Sequence, residues 1–182
     1  YPVSDGSGQN RSAQKLAFTK LREAGYVLRA GRLINEKTGA PLSFEILANN
    51  NAQEALLLTY ARSLEPLGIS SRVRVVDSAQ YPERVSSYDY DMIQNTWNAS
   101  LSPGNEQLFR WSAANATAKG SYNFAGVQNP AADALIAALL TAGKQDEFIS
   151  AVPAPDRVLL SGEYASPVFL VPNKWGARWA WC

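Results

Sequence analysis

Leu42-Ser43-Phe44-Glu45-Ile46 leads into Asn49-Asn50-Asn51, and residues 52–64 separate these from Arg72-Val73-Arg74-Val75. Leu42, Phe44 and Ile46 recur at every second position, the spacing of a strand with one face turned inward. The asparagines offer cap oxygens to a helix over 52–64, whose faces are set by Ala55, Leu58, Thr59 and Arg62 and whose end is marked by Pro66 and Gly68. Val73 and Val75 alternate with Arg72 and Arg74 as a second strand, and 79–86 reads as a short helix. Tyr90, Met92 and Ile93 begin a third strand that runs to Trp97. Strand, helix, strand, helix, strand predicts a βαβαβ unit and a mostly parallel sheet, with Phe44, Ile46, Val73, Val75, Met92 and Ile93 in adjacent strands and helices on both faces.

Before this unit, Ala13, Leu16, Ala17, Leu21 and Ala24 recur every three to four residues, predicting a helix of about 13 residues closed by Gly25. Tyr26 to Leu28 and Leu33-Ile34 flank Ala30-Gly31 as a small hairpin. After Trp97 the pattern loosens into a polar, aromatic stretch, 98–129, with a short helix over 106–113. Pro130 opens a helix over 131–142, and 146–161 reads as a helix interrupted by Pro153 and Pro155. Val168-Phe169-Leu170-Val171 reads as a last strand.

The composition removes several function classes. With 182 residues, one or at most two domains are expected. A formal charge of +1 gives no field to gather phosphates, which argues against nucleic acid. The absence of His leaves no common general base and no common metal ligand, and the lone thiol, Cys182, has no partner for an internal disulfide. No apolar run approaches a membrane span, and Tyr1-Pro2-Val3-Ser4-Asp5-Gly6 does not read as a secretion signal, so the expectation is a cytosolic protein or a piece whose targeting segment lies elsewhere.

The densest cluster of unusual residues, 97–107, follows the carboxyl end of the third strand, where open α/β sheets collect ligands. Trp97 offers an apolar face with one donor, while Asn98, Ser100, Ser102, Asn105 and Gln107 present amides and hydroxyls. A helix-capping loop with a packing tryptophan reads equally well. Asp77, Glu83, Asp89 and Asp91 lie near strand ends; a carboxylate-dependent hydrolase would use such groups, but solvated strand-edge acids are far commoner, and no metal-ligand spacing is present. Arg72 and Arg74 share a strand face and read as its wet side. The glycines at 6, 8 and 104 form no phosphate-cradling motif.

Arg11 followed by Ala17-Phe18-Thr19-Lys20-Leu21-Arg22-Glu23-Ala24-Gly25-Tyr26 resembles a helix of the extracellular solute-binding proteins, family 5, of oligopeptide, dipeptide and nickel ABC importers. The run from Asn123-Phe124-Ala125-Gly126 to Asn129-Pro130-Ala131-Ala132-Asp133 is similar to a second segment of that family. Asp5-Gly6-Ser7-Gly8, Val75-Val76-Asp77-Ser78-Ala79-Gln80-Tyr81, Tyr88-Asp89-Tyr90-Asp91-Met92, Ser100-Leu101-Ser102-Pro103-Gly104-Asn105-Glu106-Gln107 and Asp156-Arg157-Val158-Leu159-Leu160 resemble its Yej-type branch, associated with oligopeptides and microcin C.

The resemblance implies an α/β lobe of the periplasmic-binding-protein type II kind: residues 1–165 as the C-terminal ligand-binding lobe and 166–182 as a segment returning to a missing first lobe. It implies no catalysis, cofactor or metal. It implies a peptide or peptide-like solute held in an interlobe cleft, a membrane ABC permease and the first lobe as partners, no nucleic acid, no membrane insertion and a periplasmic location. The candidate ligand-binding residues are Asn95, Trp97, Asn98, Ser100, Ser102, Asn105, Glu106, Trp111 and Asn123. Ser100 stands where the oligopeptide binders carry an aspartate for the peptide's amino terminus, so no ion pair with an ammonium can form there. Besides the hydrolase, an interaction module using Trp175, Trp179 and Trp181 is a rival reading.

Overall fold

Asn10 closes the first turn of α1 (Arg11–Glu23) with its side-chain oxygen, which accepts from the Ala13 N–H at 2.9 Å. Gly25, at φ +83°, takes the left-handed conformation that ends the helix, as its position in the sequence predicted. In the computed structural model of the chain the described residues are 10–97 and 104–166. The readings on Asn98, Ser100, Ser102, the strand at 168–171, the return segment and the three C-terminal tryptophans lie outside the described residues. The chain divides into two compact units, residues 1–98 and 99–182.

In the first unit, β1 (Tyr26–Arg29) and β2 (Arg32–Asn35) form the expected antiparallel hairpin. Its turn residues Ala30 and Gly31 both have positive φ, which matches the twist of a two-residue hairpin. The hairpin is tied to the rest of the unit through buried Leu33, whose N–H donates to the Gly68 carbonyl and whose carbonyl accepts from Leu42, both at 2.8 Å.

The sheet is parallel, in the order β4-β3-β5, from β3 (Ser43–Ala48), β4 (Ser70–Val75) and β5 (Met92–Ile93). The six residues expected in adjacent strands are there, with Ile46 opposite both Val73 and Met92. Between β3 and β4, α2 (Asn51–Leu64) is capped by the Asn50 side chain, which accepts from Gln53 N–H at 2.9 Å. Its Leu57 and Tyr60 pack with Phe44, Ile46, Ala48, Val73 and Met92 to form the core of this unit. Ile46 is fully buried, contributing roughly 1.5–3 kcal/mol relative to exposure. From the opposite face, α3 (Gln80–Ser86) reaches the sheet through Arg84, whose guanidinium donates to Glu45 at 3.1 Å and to Asp89 at 2.8 Å.

The third strand is far shorter than expected. Only Met92 and Ile93 pair, and the stretch from Gln94 to Trp97 leaves the ladder. Polar Gln94, Asn95 and Thr96 have little apolar surface to keep them on the sheet. At the other end a side chain replaces the main-chain ladder, because Asp91 accepts from the Glu45 N–H at 2.8 Å.

In the second unit α4 (Glu106–Trp111), α5 (Pro130–Thr141), α6 (Gln145–Ala151) and α7 (Pro153–Ser161) pack around buried Ala132, Ile136 and Leu139 of α5. Asn129 caps α5 and Pro130 occupies its first turn. The interruption expected near Pro153 and Pro155 is a break at Val152 between α6 and α7. Both prolines fall in the first turn of α7, where a missing N–H costs no helical bond.

Candidate functional site

Because β3, β4 and β5 are parallel, their carboxyl ends share one edge of the sheet. There β3 delivers Asn49 and Asn50, β4 delivers Asp77, and β5 delivers Gln94, Asn95 and Trp97. The chain leaves β3 for α2 on the Ile46 face, whereas α3, which follows β4, meets the Glu45 face through Arg84. Departure toward opposite faces from neighbouring strands opens a crevice at such an edge, the usual ligand position in α/β sheets.

Two of the edge groups are committed to structure. Asn50 caps α2, and Asp77 accepts from Ala79 and Gln80 N–H at 2.9 and 2.8 Å, which holds its carboxyl below the ordinary value of 3.8. Others face outward or lack a partner. Trp97 is 37% exposed, Asn95 is half-buried, and the buried Oε1 of Gln94 has no hydrogen-bond partner among the described residues. An orphaned buried acceptor at a strand end suits a ligand N–H, since leaving it unmet costs roughly 1–3 kcal/mol. Gln94 was not among the sequence candidates; its place between the last paired residue, Ile93, and Asn95 was the signal available.

Ahead of β5, at the amino end of the strand, lies an aromatic group. Tyr88 and Tyr90 stack with ring centroids 6.2 Å apart, and Tyr88 holds φ +58°, a strained value for a bulky residue. Burial, with the neighbouring phenols Tyr88 and Tyr81, pushes the Tyr90 hydroxyl up to about 12, so it stays protonated and able to donate.

The remaining candidates belong to the second unit. The Glu106 carboxylate accepts from the Gly104 N–H at 3.0 Å, the main reason its carboxyl sits below 4.5. Asn105 is exposed at the start of α4, and Trp111 is half-buried at its end. Asn123 is fully buried: its amide donates to the carbonyls of Ser112 at 2.9 Å and Val127 at 3.0 Å, and its oxygen accepts from Val127 N–H at 2.9 Å. With both amide hydrogens used, Asn123 holds the 112–127 loop together and has no donor for a ligand.

Each of three strand-end acids makes a structural bond. Asp89 pairs with Arg84, Asp91 holds the backbone of β3 and Asp77 caps a turn. Arg74 lies on the wet face, 3.7 Å from Glu45. Among the described residues no group of three His, Cys, Asp or Glu is placed to hold a metal, and no helix is long and apolar enough to cross a membrane.

The chain is similar to known proteins along almost all its length. It is 47% identical over 178 residues to a putative binding protein of Brucella melitensis, 46% to the peptidoglycan-binding protein YepA and 38% to the probable peptide-binding protein YejA, both of Agrobacterium fabrum. Each match covers 98% of this chain and 29% of the relative, so the chain spans less than a third of the length of these relatives. Its fold matches the oligopeptide-binding protein AppA of Bacillus subtilis, solved with a nonapeptide, at a TM-score of 0.72 and 21% identity over 82% of this chain and 30% of that one. That likeness establishes the α/β fold of the periplasmic-binding-protein type II kind. Residues 2–119 match the model of the middle region of the bacterial extracellular solute-binding proteins, family 5, and the chain belongs to that family.

Proposed function

We propose that this chain is the ligand-binding lobe of a periplasmic peptide-binding protein that captures its solute between two lobes and presents it to an ABC permease. On this reading residues 1–165 form one wall of the cleft, 166–182 return to the other lobe, and hinge closure traps the ligand without chemical change. The observation that carries it is the stretch after β5 at the carboxyl edge of the sheet, which holds both an exposed Trp97 and, three positions earlier, the orphaned acceptor of Gln94. Such a pair suits a peptide, which brings apolar side chains together with backbone N–H donors. Asn95, Trp97 and the polar run Asn98, Ser100 and Ser102 supply contacts from this wall; Asn105, Glu106 and Trp111 are further contacts.

The names of the relatives narrow the first ligands to test. One relative at 46% identity is a peptidoglycan-binding protein and another is a probable peptide-binding protein, so peptides of the cell wall type and short oligopeptides come first. The hydrolase reading weakens because Asp77, Asp89 and Asp91 each serve a structural bond. Mass spectrometry of small molecules released by denaturing the full-length protein from its native host is the test. Recovery of peptides supports the reading; stoichiometric recovery of a different solute class rejects the peptide assignment.

A further inference from the structure

The helix α1 and the β1–β2 hairpin carry a charge that the chain as a whole hides. From residue 11 to residue 37 there are seven Lys or Arg and two Glu, a balance of +5 inside a chain whose total is +1. Between helix and hairpin runs an open groove of about 370 Å³, lined by Lys15, Phe18, Thr19 and Arg22 on one side and by Tyr26, Val27, Leu28 and Leu33 on the other. The helical contribution has i, i+3, i+4, i+7 spacing and so forms one stripe of α1. The floor is apolar, and Leu28 remains 51% exposed beside it.

The two cations of the stripe are not ion-paired among the described residues. The nearest acid on the helix, Glu23, is held by Lys20 at 3.0 Å. Lys15 and Arg22 lie about 10 Å apart along the helix axis, at 1.5 Å per residue, with Thr19 between them. Its hydroxyl donates to the Lys15 carbonyl at 3.1 Å, which leaves the oxygen as an acceptor only. The anion is met by the two flexible cations alone, since the committed Thr19 hydroxyl offers it no proton, while an apolar chain attached to it runs toward Phe18, Tyr26 and Leu28. The volume falls at the lower end of small-molecule sites, which run from about 300 to 1,000 Å³.

We propose that this groove is a second binding site, separate from the sheet edge, for a single-chain amphiphilic anion: a carboxylate on an unbranched apolar tail. It does not depend on the peptide-binding reading. A groove of about 370 Å³ has the volume for one small dissolved amphiphile, and charge complementarity selects an anion over a cation of equal tail length.

Calorimetric titration of the chain with decanoate below its micelle threshold tests the proposal, with decyltrimethylammonium as the matched cation. One-to-one binding of decanoate at least tenfold tighter than the cation is expected. Lys15→Gln with Arg22→Gln should lose that tenfold preference, and Leu28→Asn should weaken both ligands, while Leu16→Asn, exposed but outside the groove, should change neither. Equal affinity for the two amphiphiles, or decanoate binding untouched by the Lys15 and Arg22 substitutions, overturns the site. Sedimentation with phosphatidylglycerol vesicles in the absence of decanoate binding also overturns it, by reassigning the charge to a membrane-facing surface.

Discussion

Asp91 Oδ2 accepts the backbone N–H of Glu45 at 2.8 Å, across 46 positions of sequence, and so continues with a side chain the ladder that β5 makes for only two residues. The acid is thereby a structural acceptor where sequence left a catalytic role open.

Replacing Asp91 by Ala should lower stability by about 1–2 kcal/mol, because it leaves the Glu45 N–H without its partner at a partly solvated position. Asp91→Asn keeps an acceptor and should cost less than half of that. Urea unfolding of the chain measures both, and equal losses would mean that charge rather than the hydrogen bond matters.

Gly68 occupies φ +77°, and a Cβ there would stand 2.9 Å from the Leu33 nitrogen and 2.5 Å from the Leu28 Cδ1. Gly68→Ala combines left-handed backbone strain with a collision against main chain, so a loss of about 2–4 kcal/mol is expected. The hairpin should detach first, seen as faster amide exchange at Leu33, whose N–H donates to the Gly68 carbonyl.

Asn123→Leu should destabilise by about 2–4 kcal/mol, since the Ser112 and Val127 carbonyls and the Val127 N–H lose their partner in a buried loop. If the full-length variant is folded, its ligand affinity should change less than threefold. A larger loss of affinity with intact stability would restore Asn123 as a ligand contact.

Trp97→Ala in the full-length protein should weaken peptide binding by about 1–3 kcal/mol by calorimetry, through lost apolar contact and a lost donor. Ser100→Asp should tighten binding of a peptide with a free amino terminus and leave its N-acetylated twin unimproved. Equal effects on the two peptides would place the ammonium elsewhere.

Asp77 and Glu106 both have carboxyls lowered in the folded chain, mainly by backbone N–H donors, Gln80 for the first and Gly104 for the second. A depressed folded value means stability present above the unfolded value and lost as pH falls through the folded one. The acid limb should therefore steepen below the ordinary values of 3.8 and 4.5, and Asp77→Asn should flatten it. A pH series of urea midpoints reads the slope, and an unchanged limb in that variant would remove Asp77 from the account.

The order of elements was written locally. Period-two alternation at Phe44 and Ile46, the Asn50 cap, Gly25, Gly68 and Pro130 each act within a few residues, so the sequence by itself determined the helices, the hairpin and the parallel βαβαβ unit. Family-like segments such as the run from Asn123 to Asp133 pointed to the solute-binding family in the same local way. What pairs with what across long separations was left to tertiary structure. Polar residues at 94–96 end β5 after two pairs because only the folded sheet decides which positions are covered. An asparagine reads the same in sequence whether it meets a ligand or other backbone, and burial alone turned Asn123 inward. Carboxylates at 77, 89 and 91 carry identical chemistry in the unfolded chain; their roles were fixed when folding set one against a turn, one against Arg84 and one against the main chain of Glu45.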